Sequence, residues 1–221
     1  MKYIINEHQY NLLLEQEEQI LRVPFVAFGN DWDVLQRFLN RRGNPPYEIM
    51  DDLDLSYSKI ESLGNLTSVG GYLNLGGSKI QSLGNLTSVG GYLYLSGSKI
   101  ESLGNLTSVG GDLDLRDSGI KDLGNLTSVG GYLDLYESKI KSLGNLTSVE
   151  GNLNLYKSNI KDLGNLTSVG GDLNLWRSEI EDLGNLTSVG GYLYLRNTPL
   201  SKKYTREEIH SMVEVRGDVY V

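Results

Sequence analysis

"GNLTSVGGYLNL", Gly64–Leu75, returns down the chain with its first eight letters almost unchanged. Its valine falls at Val69, Val89, Val109, Val129, Val149, Val169 and Val189, a strict period of 20 residues. Each valine precedes two alternate leucines, from Leu73 and Leu75 to Leu193 and Leu195, and "DDLDL" at 51–55 supplies an earlier pair, Leu53 and Leu55. Self-similarity at a short fixed period marks a repeat architecture, so the eight related segments read as turns of one elongated body.

Alternation through Tyr72, Leu73, Asn74 and Leu75 is the period-2 signal of a half-buried strand, leucines inward and their neighbours outward. One strand per turn, stacked in parallel, makes a continuous sheet. Rungs of such a sheet lie about 4.8 Å apart, so eight span on the order of 35 Å, the length of an extended binding face. Leu66, Val69, Ile80 and Leu83 supply further inward groups, each worth roughly 1.5–3 kcal/mol when buried. Gly64-Asn65 reads as a turn and Gly70-Gly71 as a corner with close backbone approach. A hydroxyl recurs at Ser58, Ser78, Ser98, Ser118, Ser138, Ser158, Ser178 and Thr198, which predicts a ladder satisfying backbone groups of its own or the adjacent turn.

"LYLSGSKIESL" at 93–103 resembles the leucine-rich repeat pattern, with Leu93, Leu95 and Ile100 at its apolar positions and Ser98 where that family usually carries asparagine. Gly90 stands where a leucine would open the family's strand segment, and "LGNLTSV" is too short and turn-rich for the helix many members carry. The 20-residue period therefore most resembles the short bacterial subtype, while "LTSVGGYLYL" at 86–95 also resembles repeats of the receptor L domain. The resemblance covers about residues 49–200. It implies a right-handed β-solenoid, and a function in binding other proteins.

The flanks depart from the repeat and read as caps: a helical N-terminal cap over 1–48, the solenoid over 49–200, and a cap helix with a closing strand over 201–221. Helices are expected at 7–19 and at 31–42, where Trp32, Leu35, Phe38 and Leu39 fall at helical spacing. Thr205 and Glu208 have capping-box spacing, and "VRGDVYV" at 215–221 reproduces "VGGYLYL", so Val215, Val219 and Val221 are expected to close the stack. "MKYIINEHQYNLLLE" at 1–15 also resembles N-termini common among uncharacterised bacteriophage proteins.

Composition narrows the function. A net charge of −8 and a pI near 4.8 oppose binding to nucleic acid. With no cysteine there is no disulfide, thiolate nucleophile or cysteine zinc site, and no signal or membrane-spanning pattern is read near the start. The expected location is cytoplasmic, or the host cytoplasm or virion if the chain is phage-encoded, with no cofactor and no membrane partner. His8 and His210 stand apart in the caps, and the seven "NLT" sequons read as turn chemistry of the repeat. Asp112, Asp114, Asp134 and Asp172 read as a solvated outer face, with neither catalysis nor metal binding expected of them.

Variation concentrates at the outward strand positions and the turn beyond them. One row reads Ser56, Gly76, Ser96, Arg116, Tyr136, Tyr156, Trp176 and Arg196, so three aromatics occupy consecutive rungs between two arginines. Lys157 and Arg177 adjoin them, and Tyr132, Tyr192 and Tyr194 share the face. Tyr, Trp and Arg predominate at binding hot spots because they bury much surface while keeping polar handles. These ten residues are the expected partner-binding set of a non-enzymatic module. A protein is the first expectation for its partner; a glycan, or self-association within a phage particle, are the alternatives.

Overall fold

The computed structural model describes residues 20–221. The repeats form a parallel β-solenoid with 20-residue turns, and two sheets run its length in place of the single one expected. A ten-stranded valine sheet contains Ser88–Val89 and its equivalents, and a nine-stranded leucine sheet contains Leu73–Asn74 and its equivalents. Pairing is in register by the repeat: Val129 faces Val109 and Val149, and Leu133 faces Leu113 and Leu153.

The glycine corner separates the sheets. Glycine fills its second position in all seven copies, Gly71 to Gly191. A Cβ on Gly151 would lie 2.7 Å from both the carbonyl carbon and the oxygen of Gly131. Successive backbones therefore approach too closely there for a side chain, and the chain can bend sharply between two extended segments.

Leucines, isoleucines and valines fill the interior, most of them fully buried in one continuous core. The constant polar residues stitch the turns together. The Thr87 hydroxyl donates to the Thr67 carbonyl at 3.0 Å, and the same bond recurs through Thr187. Nδ2 of Asn105, Asn165 and Asn185 donates to a glycine carbonyl of the preceding turn at 2.9–3.3 Å. Both ends of these sequons thus serve the frame. The predicted hydroxyl ladder forms only in part: Ser118, Ser178 and Thr198 donate to the leucine carbonyl three residues back at 2.6–2.7 Å, whereas Oγ of Ser58, Ser98, Ser138 and Ser158 is buried without a partner among the described residues.

The expected helix at 7–19 lies outside the described residues. The second forms as α1, Trp32–Asn40, with Asp31 Oδ1 accepting from the Val34 N–H at 3.0 Å and Leu35 and Leu39 buried. The described part of the N-terminal cap is not purely helical, since Leu21–Val23 and Tyr47–Ile49 are strands that begin the valine sheet. Tyr47 is fully buried and its hydroxyl donates to the Leu63 carbonyl at 2.8 Å, fastening this end to the first turn.

Beyond the last repeat, α2 (Pro199–Lys203) and α3 (Arg206–Met212) replace the back of a turn. The capping box of Thr205 and Glu208 is formed as its spacing predicts. Glu214–Val215 then extends the valine sheet and Val219–Tyr220 the leucine sheet, so the closing segment is two strands bent at Gly217. Val219 is buried, and Val221 is 40% exposed.

Candidate functional site

The outward face of the leucine sheet carries three rows, and the frame uses two of them wherever they hold Asp or Asn. In the first, Oδ1 of Asp52, Asp112, Asn152 and Asp172 accepts the backbone N–H of the next turn's equivalent residue at 2.7–2.9 Å. In the second, Oδ1 of Asp54, Asn74, Asp114, Asp134, Asn154 and Asn174 accepts the N–H two residues on at 2.9–3.2 Å. Such Asx turns fix the chain as it leaves the strand.

The acidic residues expected on a solvated face are thus engaged with backbone. Asp134 is only 7% exposed, accepting from Asn154 Nδ2 at 3.0 Å and lying 3.4 Å from Arg116 Nε. Arg116 also grips Asp114 at 2.9 and 2.6 Å, so its guanidinium is spent on two turns of the frame. Burial, reinforced by the Asp134 charge, pushes the neighbouring Tyr132 hydroxyl up to about 12.

The third row makes the ridge. Tyr136 and Tyr156 stack with centroids 5.2 Å apart and planes 10° from parallel, and Trp176 meets Tyr156 edge-on at 5.6 Å. Tyr136 and Trp176 remain 39% and 40% exposed, a large apolar area for a folded surface. Lys157 lies 5.2 Å from the Tyr156 centroid and pairs with Glu137 at 2.8 Å. Arg177 lies 5.5 Å from the Trp176 centroid and donates to the Tyr156 hydroxyl at 3.4 Å.

Glu137, Lys157 and Arg177 stand at the third residue of a tight turn closed, in each copy, by a bond such as Ser158 N–H to the Leu155 carbonyl at 3.1 Å. That position is left-handed in every turn, with φ between +53° and +66°. It is glycine only at 77 and 97; Glu, Lys and Arg hold it beside the ridge, and Tyr57, Asp117 and Asn197 hold it on the other rungs. A non-glycine residue there costs about 1–2 kcal/mol.

A second aromatic group adjoins the first. Tyr194 stacks on Tyr220 at 5.0 Å and 7°, Tyr192 lies 6.2 Å from Tyr194, and Arg196 lies 5.6 Å from the Tyr220 centroid. Between this group and Trp176 opens a cleft of about 360 Å³ lined by Asn174, Trp176, Tyr194, Arg196 and Tyr220. The predicted residues therefore fall into a ridge (Tyr136, Tyr156, Trp176, Lys157, Arg177), a cleft group (Tyr192, Tyr194, Arg196), and the framework pair Arg116 and Tyr132. Tyr220 was missed, although the match of "VRGDVYV" to "VGGYLYL" sets it directly over Tyr194, its partner in the sheet.

Elsewhere, a cavity of about 840 Å³ lies between α1 and the turn at 58–64, lined mainly by polar residues and holding none of the predicted set. Among the described residues, no cluster of three or more His, Asp or Glu is placed to hold a metal ion, and no helix is long and apolar enough to cross a membrane. Comparison with family models, curated proteins and solved structures finds no match to this chain.

Proposed function

We propose that the chain is a non-enzymatic recognition module whose leucine-sheet face binds a protein partner, centred on Tyr136, Tyr156 and Trp176. The observation that carries this reading is the continuous, half-exposed ridge over three consecutive rungs, flanked by Lys157 and Arg177. The leucine-rich repeat resemblance supports the same use, because members of that family commonly bind proteins across the parallel sheet.

The test is capture from host lysate by wild type and by the Tyr136→Ala, Tyr156→Ala, Trp176→Ala triple variant, with thermal midpoints compared. A protein retained by wild type and lost by the folded variant supports the reading. Equal retention by both overturns it, and so does a ligand that survives protease digestion of the lysate, which would be a glycan.

A further inference from the structure

The cleft between Trp176 and Tyr220 carries a more specific inference, which rests on the recognition face just described. Several positive side chains of this solenoid are paired with acids: Arg116 with Asp114, Lys121 with Glu101, Lys157 with Glu137, Lys161 with Glu181, Arg206 with Asp218. Arg196 lines the cleft and Arg177, one turn before it, lies over the Trp176 ring; neither has a carboxylate partner among the described residues. In a chain of net charge −8, two unneutralised guanidiniums beside one aromatic cleft form a local positive site. The adjacent acid, Asp172, is engaged by the Tyr192 N–H at 2.8 Å.

The aromatic faces narrow the ligand further. A sugar ring needs an open ring face to stack upon. Here Arg177 lies over one face of Trp176, Arg196 over one face of Tyr220, and Tyr194 and Tyr220 stack on each other, which leaves each ring at most one open face. What the cleft offers is the Arg196 guanidinium, with Arg177 beyond the Trp176 ring, phenol hydroxyls, ring edges and the Asn174 amide, whose Oδ1 is occupied by the Trp176 N–H. Guanidinium matches carboxylate in charge and in its paired donor geometry. We infer that this cleft binds an acidic peptide segment of the partner, carboxylates on Arg177 and Arg196 and an apolar or aromatic side chain against Trp176 and Tyr194.

The probe is a fluorescein-labelled dodecapeptide of Glu-Glu-Tyr repeats, measured by anisotropy on the full chain beside its Lys-Lys-Tyr counterpart and an oligogalacturonate. Wild type is expected to bind the acidic peptide and not the basic one, more weakly as salt rises. Arg177→Gln and Arg196→Gln are each expected to weaken binding about tenfold, the worth of one charge-assisted contact. Lys121→Gln, on the far side of the solenoid, removes the same charge and should leave binding unchanged. All variants are checked for an unaltered thermal midpoint. No binding of the acidic peptide, equal binding of the basic one, or an equal loss in Lys121→Gln overturns the inference, and so does tighter binding of the oligogalacturonate. If the acidic peptide fails while ridge-dependent capture from lysate holds, the recognition face stands and only its acidic ligand falls.

Discussion

Ser158 and Ser178 occupy the same position in adjacent turns, yet their hydroxyls differ. Ser178 donates to the Leu175 carbonyl at 2.7 Å, and Ser158 Oγ is buried with no partner among the described residues. Replacing a bonded hydroxyl by a methyl loses a bond worth about 1 kcal/mol, whereas replacing an unpaired one removes a desolvation cost. Ser178→Ala should therefore lower urea stability by about 1 kcal/mol, and Ser158→Ala should leave it unchanged or raise it. A left-handed φ of +53° at Asp117 gives a second contrast. Asp117→Gly should raise stability by up to about 1 kcal/mol, strain relief being partly offset by the freedom glycine gains when unfolded. Tyr132 supplies a pH dependence. Its hydroxyl titrates near 10 when unfolded and is pushed up to about 12 when folded. The raised value means that its stabilising share is full below pH 10 and is lost as pH rises toward 12. The fall in stability over that interval should be shallower in Tyr132→Phe than in wild type.

The strand, the corner and the cap were legible to different degrees. Leu73 and Leu75 announce their strand by alternation, and Thr205 and Glu208 announce α3 by a three-residue spacing, because both signals are local. The stretch from Leu86 to Val89 buries its first and fourth residues instead of alternate ones, and its strand, Ser88–Val89, exists because each copy pairs with the one 20 residues away. The same distance hid the fate of Arg116, whose second aspartate, Asp134, belongs to the next turn. Ridge membership was legible because a strict period aligns Tyr136, Tyr156 and Trp176 without further information. Their stacking, and the cleft completed by Tyr220, depended on side-chain directions that spacing does not fix. At this scale the corner is the sharpest test. Gly151→Ala forces a Cβ against the Gly131 backbone and should cost about 1–3 kcal/mol in chemical denaturation.

As a whole, the molecule is a stack in which each turn touches mainly its neighbours. Removing residues 84–103 joins Leu83 to Gly104 in the repeat's own register. The shortened chain should fold with a similar circular dichroism spectrum and a urea m-value lower by about a tenth, in line with the surface lost. It should also retain whatever the ridge binds, because Tyr136, Tyr156 and Trp176 lie in later turns. The division of labour explains the sequence: threonine, asparagine and glycine hold the rungs at fixed spacing, and that regularity is what lets three variable residues form one surface. The most direct measurement places a photocrosslinking benzoylphenylalanine at Tyr156 on the leucine-sheet face and, separately, at Ser128 on the valine sheet, and irradiates each in cell lysate. A discrete protein adduct is expected from position 156 and none from 128. An adduct from 128 alone, or none from 156, would overturn the leucine-sheet face as the recognition surface.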